Sequence, residues 1–70
     1  MKLIRFVTQA LPLSVLDEQG KVHTAVFPVG TKIVTDEVPE RFNSFIKKGI
    51  IKLREATKTE EKNLVKVTFV

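Results

Sequence analysis

His23-Thr24-Ala25-Val26-Phe27-Pro28-Val29-Gly30-Thr31-Lys32-Ile33-Val34, followed after a short gap by Pro39-Glu40-Arg41-Phe42-Asn43-Ser44-Phe45-Ile46-Lys47-Lys48-Gly49-Ile50-Ile51-Lys52-Leu53-Arg54, decides the fold of this chain. Pro28 presets its own φ and Gly30 accepts left-handed backbone, so the pair marks a tight turn between two strands. Pro39 suits the first helical position, where a missing N–H costs nothing. Glu37 and Glu40 set negative charge at the positive end of a helix dipole. Phe42, Phe45 and Ile46 recur at i, i+3 and i+4, a narrow apolar stripe. Gly49 is placed to end the helix in a left-handed turn, with Ile50 as its apolar partner. Together these residues predict an amphipathic helix over 39–48 that runs directly into a strand over Ile50–Arg54.

Working outward, Lys2–Thr8 reads as a strand rich in Ile, Phe and Val. Its two faces are both partly apolar, Ile4 and Phe6 on one and Leu3 and Val7 on the other, which calls for cover on both sides. Pro12 breaks the chain before a short strand over Leu13–Leu16. Asp17-Glu18-Gln19-Gly20-Lys21 is a hairpin turn, with Asp at its first position and Gly20 supplying the positive φ. The returning strand is Lys21–Phe27, and Thr31–Val34 is a further short one. Beyond Arg54, Glu55–Asn63 reads as a polar loop and Leu64–Val70 as a last strand, in which Val65, Val67 and Phe69 alternate with polar residues. The expected fold is a single small α+β domain over 1–70. It has about six short strands, in a mostly antiparallel sheet or a partly open barrel, and one helix. The two terminal strands have three options: to pair with each other, to close a small barrel, or to add onto a neighbouring chain.

Composition bounds the chemistry. Seventy residues with 43% hydrophobic content suit one folded domain, and a chain this short buries only about 60% of its unfolded surface. There is no cysteine and one histidine, so disulfides, thiolate zinc sites and Cys nucleophiles are excluded. Association with another chain is the remaining source of extra stability. The opening Met1-Lys2-Leu3-Ile4-Arg5-Phe6-Val7 is too short and too charged for a signal peptide. No stretch approaches the roughly 20 apolar residues that span a bilayer, so a soluble, unprocessed chain is expected.

The candidate chemistry is thin. His23 is the one good general base near neutral pH, and it has no Ser or Asp at a triad-like spacing. Asp17 and Glu18 suit a turn, Asp36, Glu37 and Glu40 a helix entry, and Glu60 and Glu61 a solvated loop. None has calcium-type spacing. Gly30-Thr31-Lys32 lacks the upstream glycine and the following helix of a phosphate loop. No enzyme activity, cofactor, metal or small-molecule substrate is expected.

Two surfaces remain. The first is a protein interface built from the terminal strands: Leu3, Ile4, Phe6 and Val7 with Val65, Val67 and Phe69. The second is a basic surface of Lys47, Lys48, Lys52 and Arg54, extended by Lys2, Arg5 and Lys66. It draws on a net charge of +4, from 12 basic against 8 acidic residues, and is able to contact phosphates. The chain has no Tyr or Trp, so stacking on single-stranded bases is not expected.

The run Val26–Val34, then Val38-Pro39-Glu40, then Phe45-Ile46-Lys47-Lys48-Gly49-Ile50-Ile51 resembles small tailed-bacteriophage proteins found among head and head–tail genes. The shared pattern is a strand, a Pro-x-Gly turn, a strand, a Pro-led amphipathic helix and a Gly-capped exit into another strand. It covers about half the chain. The resemblance implies a non-enzymatic virion role, as capsid decoration or as a head or neck protein. Its partners would be copies of itself or a larger virion assembly, located in the virion or, before assembly, in the host cytoplasm, with no membrane association. The residues leave two alternatives beside it: a small basic nucleic-acid-binding module of SH3-like or OB-like type, and a small regulator that docks on a host enzyme.

Overall fold

The computed structural model describes residues Met1–Val70 as two three-stranded antiparallel sheets and two short helices. The strands are β1 (Lys2–Phe6), β2 (Leu11–Leu16), β3 (Val22–Phe27), β4 (Lys32–Thr35), β5 (Ile51–Glu55) and β6 (Thr68–Phe69). A 3₁₀ turn (Glu40–Phe42) leads into helix α1 (Asn43–Lys47), and helix α2 covers Lys58–Asn63. One sheet has the order β4-β1-β5 and the other β3-β2-β6. The expected α+β class and strand number are observed, and the sheets are not closed into a barrel.

The β2–β3 hairpin forms where the turn residues require it. Asp17 accepts the Gly20 N–H at 3.0 Å through its backbone carbonyl, and its Oδ1 accepts the N–H groups of Gln19 and Lys21, each at 2.9 Å. Gly20 has φ +79°. The Pro28–Thr31 turn closes with Thr31 N–H donating to Pro28 O at 3.1 Å, and Gly30 takes φ +90°. β2 begins at Leu11 rather than Leu13 and so contains Pro12. Ser14 O accepts from Val70 N–H, on the β6 side. Pro12, two residues earlier, presents its missing donor to that same side, beyond the reach of β6, where no ladder bond is lost.

The expected helix over 39–48 is shorter. Pro39 stands outside it in extended backbone (φ −59°, ψ 144°), and Phe42 N–H bonds Pro39 O as a 3₁₀ turn before α1 starts. Such tight first turns are a frequent entry to α-helices. The exit is as read: Ile50 N–H donates to Phe45 O, Gly49 N–H donates to Ile46 O, and Gly49 has φ +75°. That pair of bonds is the Schellman ending.

Two further expectations are corrected. Residues 55–63 are not all loop, because α2 starts on a capping box. Thr57 Oγ1 accepts Glu60 N–H at 3.2 Å, and the Glu60 carboxylate accepts Thr57 N–H at 2.9 Å. The Thr-x-x-Glu spacing was the available signal; no apolar stripe follows it, which is why the segment reads as loop. The last strand is not continuous over 64–70 either. Val34 N–H donates to Val65 O and Val67 N–H donates to Val34 O, a parallel bridge on the free edge of β4. Only Thr68–Phe69 then pairs with β2. This segment leaves one sheet and joins the other, so it seams the two together within the chain.

The core lies between the sheets. Ile4, Phe6, Ile33 and Ile51 come from one sheet, Leu11, Leu13, Val15 and Phe27 from the other, and Phe42 enters from the 3₁₀ turn. Phe6 stacks on Phe27 with centroids 5.0 Å apart and planes at 2°, which joins the sheets at their centre. Phe69 packs edge-on to Phe42 at 4.9 Å. Each such buried side chain contributes roughly 1.5–3 kcal/mol of transfer free energy.

Candidate functional site

Paired residues in an antiparallel ladder share a face, so the registers assign every strand residue to the core or to the outside. In the β3-β2-β6 sheet the outward pairs are Pro12 with Val26, Ser14 with Thr24, and Leu16 with both Val22 and Thr68. Val70, two residues past Thr68, follows the same alternation. The side chains of these residues carry no formal charge, although Arg41, from the 3₁₀ turn, donates to Val70 O. Leu16, Val22, Val26 and Val70 are 38%, 57%, 64% and 50% exposed, a large apolar content for an open surface. β3 is also a free edge, since no backbone hydrogen bond leaves it on the side away from β2. It contains no Lys, Arg, Asp, Glu or Pro, the residues that ordinarily guard an edge against pairing with another strand.

The outward face of the β4-β1-β5 sheet differs. Leu3 pairs with Val34 and Arg54, and Arg5 pairs with Lys32 and Lys52. One half of this face is covered. Leu3 and Val34 are buried although they point away from the core between the sheets. The segment tied to that half is α2 and its flanks. Arg54 Nη1 donates to Glu60 Oε1 at 2.7 Å while Nη2 binds the other oxygen, a bidentate pair. Ala56 N–H donates to Met1 O at 3.0 Å. The Glu60 carboxyl is held down at about 2, first by the Arg54 hydrogen bond and then by the Thr57 backbone N–H.

The other half is open and entirely cationic. Lys32, Arg5 and Lys52 lie directly opposite one another across three adjacent strands. All three are exposed, and none is in an ion pair. They line a shallow depression with Leu3, Leu53 and Arg54. No acidic residue occupies this face of the three strands. Like charges directly opposite across a ladder cost roughly 0.2–1 kcal/mol per pair, so the row carries a standing repulsion that nothing in the chain relieves.

The expected site residues are distributed differently from the sequence reading. Leu3, Ile4 and Phe6 are buried inside the chain, and Val67 and Phe69 are half-buried and packed on its core. Val7 is half-buried, its N–H bonded to Ile50 O, and Val65 alone of the seven is freely exposed. Both faces of β1 are buried within the chain: Ile4 and Phe6 pack between the sheets, and Leu3 is buried on the opposite side. Of the seven residues only Val65 is left exposed, and the other strongly exposed apolar residues of the sheets are Val22 and Val26 on β3, with Val70 beside them.

The expected basic surface also divides. Lys52 is in the row, Arg54 is neutralised by Glu60, and Lys47 and Lys48 stand at the end of α1, away from the depression's lining. Lys2 is paired with Glu55 on the opposite face, and Lys66 with Asp36 at 2.8 Å. Lys32 was missed. Its signal was the alternation Lys32-Ile33, which sets the lysine outward once Ile33 faces the core. His23 is exposed and makes no side-chain hydrogen bond, and no group of three His, Asp or Glu residues is placed to hold a metal ion. No helix is long and apolar enough to cross a membrane. No family model, curated protein or solved structure matches the chain.

Proposed function

We propose that this chain is a non-enzymatic assembly protein that associates with further copies of itself through the outward face and free edge of the β3-β2-β6 sheet. The single observation that carries the reading is the neutral, exposed set Leu16, Val22, Val26 and Val70 beside an unguarded edge strand. A chain of net charge +4 meets its own copies against repulsion, and a contact surface free of charge minimises that cost. Antiparallel pairing of two β3 edges satisfies their open N–H and C=O groups and brings the two apolar faces into one surface. Mass action then adds stability to a domain whose own core is small. The likeness of Val26–Ile51 to small phage head and head–tail proteins supports a virion as the setting, with decoration of a capsid or a place in the head or neck as the role.

Sedimentation velocity over a broad concentration series tests it. The native chain is expected to shift from monomer to a larger species as concentration rises. Val22→Lys with Val26→Lys is expected to remain monomeric while keeping its far-UV circular dichroism. A native chain that stays monomeric throughout overturns the proposal.

A further inference from the structure

The β4-β1-β5 sheet faces away from the apolar surface, and its open half is the cationic row. We infer that Lys32, Arg5 and Lys52 form a binding site for the phosphate backbone of duplex nucleic acid. This inference stands apart from the self-association proposed above and uses the other sheet.

Four observations favour that ligand. The first is spacing. Neighbouring strands lie about 4.8 Å apart, so the three cations are rooted across about 10 Å of sheet. One strand of a duplex rises about 3.4 Å per phosphate along the helix axis, and its phosphates lie farther apart than that along the winding backbone, so about two to three of them come within reach of the three long side chains. The second is charge: no acid on this face of the three strands competes, and the Glu60 carboxylate beside Arg54 is held by both of its nitrogens. The third is the absence of stacking surfaces. Phe6, Phe27 and Phe42 are buried, Phe45 and Phe69 pack on the core, and Tyr and Trp do not occur. Contact is therefore with backbone rather than with unstacked bases, and it carries no sequence readout. The fourth is that no fully exposed apolar side chain stands beside the row: Leu3 is buried, and Leu53 and Val7 are half-buried. A lipid surface engages a protein through both charge and inserted apolar groups, and this face offers charge with no apolar side chain free to insert.

Bound phosphates also remove the repulsion between Lys32, Arg5 and Lys52, so the row is better satisfied when occupied than when free. Each neutralised phosphate releases condensed counterions, which makes the affinity steeply salt-dependent.

The test is fluorescence anisotropy of a labelled 20-base-pair duplex titrated with the native chain at several salt concentrations. Binding is expected at low salt, independent of base sequence, with log K falling against log [salt] at a slope of about −2.7 for three contacts. Arg5→Gln, Lys32→Gln and Lys52→Gln are each expected to reduce the magnitude of that slope by about 0.9 and to weaken binding, and the triple variant to abolish it. Lys47→Gln with Lys48→Gln, outside the row, is expected to leave affinity within about twofold; at these exposed positions folding is unaffected. The inference is overturned by no anisotropy change at low salt, or by equal losses in the row and the α1 variants. It is likewise overturned if phosphatidylserine vesicles or a polyglutamate peptide capture the chain where the duplex does not. Self-association failing in sedimentation leaves each of these readouts in place, so the two proposals fail separately.

Discussion

β3 and β5 are the free edges of two sheets of equal strand number, and they are built on opposite principles. β5 carries Lys52, Arg54 and Glu55 in five residues, whereas β3 is Val-His-Thr-Ala-Val-Phe. The faces behind them follow suit, cationic behind β5 and neutral behind β3. Charge along an edge strand discourages addition of another strand, and its absence invites it. One small core thus supports two surfaces of different character, because ladder alternation lets strands place every second residue outside without disturbing the residues between. The contrast also shows why size matters. In a chain of 70 residues there is little surface to spare: the back of β3-β2-β6 is open, while that of β4-β1-β5 is open only in its cationic half, Leu3 and Val34 being buried in the other.

The comparison depends on the sheets being one cooperative body, and the largest expected effect breaks that. Phe27→Ala removes the Phe6 stack and the 6.1 Å Phe27–Phe69 contact. A buried Phe→Ala change costs about 3–5 kcal/mol, against about 4–10 kcal/mol for a domain of this length. Urea denaturation followed by circular dichroism should find the midpoint shifted to far lower urea. Retention of one sheet without the other would instead divide the molecule into two independent units.

A smaller effect sharpens the division within the β4-β1-β5 face between its covered and open halves. Thr57→Ala removes the α2 cap and should cost about 1 kcal/mol, read as a lower urea midpoint and faster amide exchange over Lys58–Asn63. The same corner is acid-sensitive. Glu60 is held at about 2 against an ordinary 4.5, so its contribution is complete above about 4.5 and is lost as pH falls toward 2. Glu55 and Asp36 are lowered too, by their hydrogen bonds to Lys2 and Lys66, and act in the same direction. Glu60→Gln should flatten part of the acid limb of stability against pH while leaving the neutral-pH fold intact.

The smallest expected effect has the opposite sign. Arg5→Gln removes the central charge of the row and should raise stability by a few tenths of a kcal/mol at low salt, read as a slightly higher thermal midpoint, with the gain vanishing at high salt. A loss of stability there would mean that the three cations are not mutually repelled, and the contrast between the two faces would weaken with it.

Much of the scaffold was legible because local residues dictate it. Asp17 and Gly20 fix the hairpin, Pro28 and Gly30 the next turn, and Gly49 the helix exit, each through its own backbone preference. The cation row was legible only in part. Lys52 stood out beside Arg54 on one strand, but its partners Arg5 and Lys32 are distant in sequence, and register alone brings them together. The burial of β1 has a related cause. Its residues look unpartnered in sequence because its strand neighbours β4 and β5 arrive much later along the chain. Likewise, alternation in Val65, Val67 and Phe69 signalled strand but could not reveal that the segment changes sheets after Val67.

That crossing has a consequence for the order of events in folding. The bonds of Val65 and Val67 to Val34, and of Val70 to Ser14, join residues far apart in the chain, and such long-range closures are slow relative to hairpins and single helical turns. The β2–β3 hairpin can form while later residues are still unmade, but the two sheets are not fastened until residues 65–70 are available. During synthesis the apolar back of β2 and β3 would therefore be displayed before the molecule is locked, and the moment of locking would set when copies can meet as finished parts rather than as open chains.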